Sequence, residues 1–402
     1  MIEIVIGDIV EQKTDAIVNS ANTTLLAGSG ISGAIHRAAG PDLERECVGV
    51  GACPAGEARI TGGYQLPARY VIHAVAPKYW DGNRGEIECL REMYKSIFSL
   101  VEAHGIKSIS IPVIGVGINR FPLEIVAKIA LEEAGNSHEK IDISFVCFNP
   151  DQQSAYQNEL AIDIAKKAIR ILEEYEISHL KGRVFDNAFS VFARTLDANP
   201  RLMVVGFNGS ISDNESTNLN SIKHAQSNLD FSNLEEGIEK GWNSYRHLAR
   251  RLSALAEIFE VDYQDVVYTN AILKCSQDAR SIETEIRHQK SDIIEKSMNF
   301  MKRFTIPTFA PSVIVCHGNA KAKYSTASIL KTYLDGGCIR TLDASSYGGA
   351  YAFEARIDNK YVPILCLRHL SRFSLNEKAV KEFRKLFPKE SGLLLSKAIA
   401  PI

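Results

Sequence analysis

The sequence predicts an α/β protein made of two units in series, and three observations predict it. Short strand-like runs alternate with longer helical segments, the pattern of sheets layered with helices. That alternation stops near residue 180 and starts again near residue 200. Charge divides at the same place: residues 1–178 carry 16 Lys and Arg against 24 Asp and Glu, a net of −8, and residues 179–402 carry 30 against 24, a net of +6. An acidic half followed by a basic half points to domains with different partners. With 402 residues, 45% of them hydrophobic, the chain is long enough for two or three cores.

In the first unit, 1–178, strands are expected at "IEIVIG", "DAIVNS", "ARITGG", "RYVIHAV", "SISIPVI" and "ISFVCF", with helices at about 31–48, 86–104, 122–135 and 151–175. The segment "EISHLKGRVF" then reads as a joint. In the second unit, 179–402, "RLMVVGFNGS" reads as a strand into a turn and "STNLNSIKHAQSNLDFSN" as a polar loop. A long amphipathic helix is expected over 235–259 and another at about 281–304, between the strands "DVVYTNAILK" and "SVIVCHG". "YVPILCLRHLS" is the last expected strand, followed by a basic helix at about 376–387.

No apolar run is long enough to span a bilayer, so no membrane partner is expected. "MIEIVIGDIV" enters a strand pattern at once and does not read as a signal peptide. The eight cysteines are scattered, with no CxxC pair and no Cys/His cluster at metal spacing. They predict free thiols in a reducing cytoplasm, with neither metal nor cofactor.

The densest local signal is "NSANTTLLAGSGISGAIHRAAG", Asn19 to Gly40. Gly28, Gly30 and Gly33 permit backbone conformations closed to larger residues and let a ligand approach the main chain. The loop opens onto the start of a helix, whose free N–H groups favour phosphate. A tight strand-to-helix connection without a ligand is the plainer reading of the glycines alone.

The surrounding motifs add to it. "GDI" at Gly7–Ile9, "DAIVNSAN", the glycine loop, "GAIHRAAG", "GEARITGGYQLPARYVIHAVAP" and "SIPVIGVGINRFP" follow one another in an order and spacing that resemble a macro domain of the hydrolase-like branch, over residues 1–160. The resemblance implies a three-layer α/β/α sandwich with a mixed sheet that binds ADP-ribose. It implies that Asp8, with Ile9, reads the adenine amino group, and that Gly30, Ile31 and Ser32 hold one phosphate. Gly115, Val116, Gly117, Ile118 and Asn119 would hold the other, and Asn19 would line the site. Asn22 would face the distal ribose as the catalytic group. Ser32 stands where hydrolysing members often place Asp, and a Ser is no carboxylate base. Asn119 stands where many members have an aromatic. His36 reads as a packing residue rather than a catalyst.

In the second half, "VVGFNGS", "VVYTNAILKC", "SVIVCHGNAKAKY" and "PILCLRHLSRFS" together resemble the uracil-DNA glycosylase superfamily, over about 180–390. That resemblance implies an α/β/α glycosylase-like domain. Asn208 would position an attacking water, Asn270 would read the edge of a flipped base, and His369 would stabilise charge on the base oxygen. Arg368, Arg372, Phe373, Lys378, Lys381 and Arg384 would contact DNA. A solvated basic face is the alternative for the Lys/Arg cluster, and a structural role is the alternative for Asn270.

Jointly the two resemblances imply an enzyme that binds and hydrolyses ADP-ribosyl groups on nucleic acid. The second domain would recognise single-stranded or modified DNA, or excise a base. The alternatives are a non-catalytic sensor or antitoxin that binds an ADP-ribose-type nucleotide, and a protein-directed ADP-ribosyl hydrolase. Oligomeric state is not legible in the sequence.

Overall fold

A computed structural model describes residues 2–137, 141–181, 201–210, 217–227, 243–262, 266–276, 281, 284–287, 292–318, 324–342, 349–357, 360–370 and 373–392. The chain divides into two compact units, Met1–Asp163 and Ile164–Ile402.

The first unit holds β1 (Ile2–Ile6), β2 (Ala16–Ser20), β3 (Ala58–Gly62), β4 (Tyr70–Ala74), β5 (Ser108–Pro112) and β6 (Asp142–Cys147) in the order β1-β6-β5-β2-β4-β3. All neighbours are parallel except β3, which runs antiparallel to β4. Ile17, Val18, Val71, Ile72, Ile109, Ile111 and Phe145 are all buried. Such uninterrupted apolar runs mark strands covered on both faces. The helices of this unit are α1 (Gly30–Ala39), α2 (Pro41–Val50), α3 (Glu86–Ala103) and α4 (Leu123–Asn136), and α5 (Pro150–Glu174) contains the boundary at Asp163.

The single helix expected over 31–48 is two. Gly40 takes φ 83° and ends α1, and Pro41 opens α2 at a position where its missing N–H leaves no partner unsatisfied.

The second unit holds β7 (Leu202–Ser210), β8 (Val267–Ser276), β9 (Val313–His317), β10 (Arg340–Thr341), β11 (Tyr351–Ile357) and β12 (Lys360–Leu367) in the order β10-β11-β12-β9-β7-β8. The run β8-β7-β9-β12 is parallel, and β10 and β11 add an antiparallel edge. Its helices are α6 (Asn218–Ser227), α7 (Asn243–Phe259), α8 (Ile293–Phe300), α9 (Ile306–Phe309), α10 (Thr326–Tyr333) and α11 (Glu377–Leu386), with a π-helical turn Met301–Thr305 joining α8 to α9.

Three expectations change here. The polar stretch read as a loop contains α6, pinned by the fully buried Asn218, whose amide donates to the carbonyls of Ile177 and Leu273 at 2.8 Å each. Tertiary partners, not the polar sequence, hold that helix. The stretch expected as one helix at about 281–304 is helical at 281 and 284–287, and from Ile293 it runs as α8, the π turn and α9, five residues beyond the expected end. Finally, β10, β11 and α10 were not expected. Among the described residues no helix is long and apolar enough to cross a membrane.

Candidate functional site

The loops after β1, β2 and β5 leave the same carboxyl edge of the first sheet, the edge at which open α/β sheets bind ligands. In the order β1-β6-β5-β2, the first and last of these loops are three strand spacings apart, about 14 Å. The edge therefore suits an elongated ligand.

At the β1 end, Asp8 is exposed and caps the short turn Ile9–Glu11, accepting the Val10 N–H at 3.1 Å, while Ile9 is buried. Next to it, at the end of β6, Phe148 is 86% exposed. The sequence reading missed Phe148, although an aromatic in "FNP" directly after an apolar strand was the available signal. An exposed ring beside a carboxylate offers stacking and amino-group recognition together.

At the β2 end, the glycine loop is braced from within. Asn22 accepts from the Thr24 backbone N–H at 3.1 Å and hydroxyl at 2.7 Å, and donates to the Leu26 carbonyl at 2.9 Å. Leu25 is buried in a left-handed conformation, φ 60°. Two glycines are needed for distinct reasons. Gly30, at the first position of α1, has φ +58° with open space around it. Gly33 lies so close to the loop that a Cβ there would sit 2.5 Å from the Gly28 carbonyl oxygen.

Ser29, at the N-cap of α1, makes no side-chain cap bond. The N–H groups of Gly30 and Ile31 thus open a helix with no capping side chain, the arrangement that binds anions. The Ser32 hydroxyl is buried beside them without a hydrogen-bond partner within the protein.

Between these ends lies the loop after β5. Gly115, buried at φ 96°, accepts the Phe121 N–H, and Gly117 accepts the Arg120 N–H. Val116 is half-buried, Gly117 exposed, and Ile118 81% exposed. Asn119 donates its amide to the Ala76 carbonyl at 3.2 Å, and its carbonyl accepts the Tyr79 N–H at 2.8 Å, so this loop is tied to the loop after β4.

Asn19 is placed differently from the other expected residues. It is fully buried, with its amide 3.0 Å from His73 Nδ1, beneath the edge rather than on it. His73 also meets the Thr61 hydroxyl at 2.9 Å, and Cys47 Sγ lies 3.7 Å from its other nitrogen. His36, Cys47 and His73 thus converge, with ligating atoms within 4.8 Å of one another, although their spacing in the sequence gave no such sign. Burial pushes the Cys47 thiol up to about 11 and the His73 imidazole down to about 3, the latter helped by His36. The three side chains form a buried His–Cys–His cluster beneath the edge, with Cys47 and His73 hydrogen-bonded to each other.

In the second unit, one face of the sheet is apolar until its last row. Leu202 and Val313 are opposite one another, then Val204 opposite Tyr268 and Val315, and all belong to one core with Leu365 and Leu367. One step further along this face come Asn270, Gly206 and His317, in adjacent strands. Asn270 is 5% exposed and His317 2%. The Tyr268 hydroxyl lies 2.9 Å from His317 Nε2, and the His317 and His369 rings meet edge to face at 4.8 Å. Burial, then His369, pushes His317 down to about 3, so it is neutral. A Cβ on Gly206 would fall 2.7 Å from the Tyr268 hydroxyl, 2.8 Å from Asn270 Oδ1 and 3.2 Å from His317 Nε2.

The structure therefore brings two expected residues, Asn270 and His369, to one carboxyl edge, and adds Tyr268 and His317. Asn208 lies in β7, its side chain outside the described residues, as is Arg372 entirely. Arg368 stacks on Phe373 at 3.4 Å, so neither stands alone. Lys378 and Lys381 are exposed on α11, and Lys381 pairs with Glu377 at 3.4 Å. Arg384, expected at phosphate, is instead buried, bonded to the Ile258 carbonyl and to Glu260.

Comparison with known proteins bears on the first unit. The Macro domain family model matches residues 18–130. A macro domain-containing protein of Methanosarcina mazei is 45% identical over 159 residues, 39% of this chain and 85% of that one. O-acetyl-ADP-ribose deacetylase 1 of Pantoea vagans is 42% identical over 163 residues, 39% of this chain and 95% of that one. Among solved structures, the Oceanobacillus iheyensis macrodomain with ADP is 36% identical and covers 41% of this chain and 93% of its own, with a TM-score of 0.39. The Trypanosoma brucei macrodomain in complex with ADP-ribose is 40% identical and covers 40% of this chain and 68% of its own, with a TM-score of 0.37. Through its first unit, the chain belongs to the macro domain family.

Proposed function

We propose that the first unit, taken as residues 1–178, binds ADP-ribose and hydrolyses ADP-ribosyl groups attached to nucleic acid, with the second unit recognising the strand or its base. The observation that carries the first half is the start of α1, uncapped and beside the buried, unpartnered Ser32 hydroxyl, at the edge that also presents Asp8 and Phe148. The deacetylase relatives act on an ester of the same nucleotide. Without a carboxylate at position 32, water is positioned by the loop backbone and Asn22 rather than by a general base.

The polar row Asn270–Gly206–His317, with His369 beyond it, supports base recognition in the second unit. Excision of the base by the glycosylase-like unit is the alternative outcome there. Ser32 favours a second reading for the whole chain: a sensor that binds the nucleotide without turnover. The seven described free cysteines support a cytoplasmic setting.

The test incubates the full chain with ADP-ribosylated single-stranded DNA, ADP-ribosylated protein, O-acetyl-ADP-ribose and uracil-containing DNA. Release of ADP-ribose fastest from the DNA supports the proposal. ADP-ribose binding without turnover on any substrate supports the sensor.

A further inference from the structure

The loop after β4 carries an aromatic ring that nothing above explains. Trp80 is 61% exposed and belongs to neither described core cluster. Lys78 Nζ lies 4.6 Å from its ring centroid and Arg84 Cζ 5.7 Å.

The loop is rigidly built. The Glu86 carboxylate accepts the backbone N–H groups of Trp80, Asp81, Gly82 and Arg84 at 2.7–3.1 Å. The N–H of Glu86 itself, with those of Gly82, Asp81 and Trp80, draws its pKa down to about 2. The neighbouring residue, Tyr79, is tied to the loop after β5: its N–H donates to the Asn119 carbonyl, and its ring lies 5.0 Å from Phe121. A single exposed apolar side chain is ordinary. An exposed ring with two cations over it, on a clamped loop bonded to a candidate phosphate loop, has the makings of a contact surface.

We propose that Trp80, with Lys78 and Arg84, is the acceptor platform of the first unit, stacking on an unpaired nucleobase of the strand that bears the ADP-ribosyl group. This rests on the reading of that unit as an ADP-ribosyl site. Indole stacks on any base face; Lys78 and Arg84, which lie over the ring, give way to the base and suit the phosphates on either side of it. A peptide acceptor offers no comparable ring at a fixed distance from its modified side chain.

Net charge does not drive the contact. Asp81 holds Arg84 at 3.2 Å, and residues 1–178 are acidic overall. The platform's contribution is therefore stacking, and it persists at salt concentrations that abolish phosphate contacts.

The chain has two tryptophans, so Trp242→Phe in the full-length protein leaves Trp80 as its sole indole reporter. Fluorescence is followed on titration with free ADP-ribose, an ADP-ribosylated single-stranded oligonucleotide, the unmodified oligonucleotide and an ADP-ribosylated peptide. The modified oligonucleotide is expected to quench Trp80 and the peptide is not. In direct binding, Trp80→Ala is expected to weaken the modified oligonucleotide about 5- to 150-fold, the range for loss of one base–aromatic stack. It leaves free ADP-ribose and the peptide unchanged, and Trp80→Phe restores most of the loss. Intact ADP-ribose binding with no change in oligonucleotide affinity, or with equal losses for oligonucleotide and peptide, overturns the platform alone. No binding of free ADP-ribose by the unsubstituted chain overturns the underlying reading and the platform with it.

Discussion

The two sheets present their carboxyl edges in opposite ways. In the first unit the edge is made of loops and backbone: an uncapped helix start, Gly30 at positive φ, Gly33 against the Gly28 carbonyl, and exposed Asp8 and Phe148. In the second, the edge is made of side chains on strands, Asn270, Tyr268 and His317, all buried, around the space left by Gly206. A backbone edge of this kind suits a charged group, which it can meet without lowering it into the core. A row of buried polar side chains discriminates shape, because each unpaired group there is costly.

The comparison breaks most sharply at Gly33. A side chain there meets the Gly28 carbonyl, which cannot move without moving the loop. Gly33→Val is expected to remove ADP-ribose binding in calorimetry and to destabilise the first unit by about 3 kcal/mol, the upper part of the overpacking range. Wild-type affinity in this variant would show that the loop is not the cradle.

Acid is the next lever, and it should act on both units. His73 and His317 are held near 3, below the ordinary 6.5. The unfolded chain therefore binds protons that the folded chain refuses. Stability is full above about 6.5 and falls as the pH drops towards 3, by at most about 1.4 kcal/mol per pH unit for each imidazole. Urea unfolding between pH 7.5 and 4.5 measures this. His317→Phe should flatten the response of the second unit alone. If that variant has the wild-type slope, His317 is not the buried neutral group.

Asp8→Ala sharpens the contrast from the other side. Losing a hydrogen bond to a charged acceptor should cost about 1–3 kcal/mol of ADP-ribose affinity, with a fall in unfolding midpoint worth about 1 kcal/mol, because Asp8 also caps the turn Ile9–Glu11. An unchanged affinity in the calorimeter would take Asp8 out of the site.

The smallest effect is expected on α11. Charge reversal at Lys378 and Lys381 should weaken single-stranded DNA binding by about 1 kcal/mol or less at moderate salt, equally on every sequence. The Glu377 partner already offsets Lys381. A sequence-dependent change in gel shift would argue that the helix contacts bases.

How much of this was legible depended on whether the information is local. The strands of the first sheet and the starts of α3, α4 and α5 were readable, because apolar periodicity is a property of neighbouring residues. The glycine loop was readable for the same reason: Gly30 and Gly33 announce a backbone that other residues do not tolerate. The break at Gly40–Pro41 is also written in the residues, since a glycine followed by proline ends one helix and opens the next. By contrast, α6 depends on Asn218 reaching Ile177 and Leu273, over 41 and 55 residues. No window of sequence contains that.

The sequence by itself determined the two-unit α/β organisation, the glycine-rich loop and the candidacy of Asp8, Asn270 and His369. Tertiary structure alone decided that Asn19 supports His73 from the core, that Arg384 is spent inside the second unit, and that Tyr268 and His317 join Asn270. The reason is strand register: residues 206, 270 and 317 share a row only because β8, β7 and β9 pair in that alignment. Pairing between distant strands is set by the packing of the whole sheet, and no residue type records it.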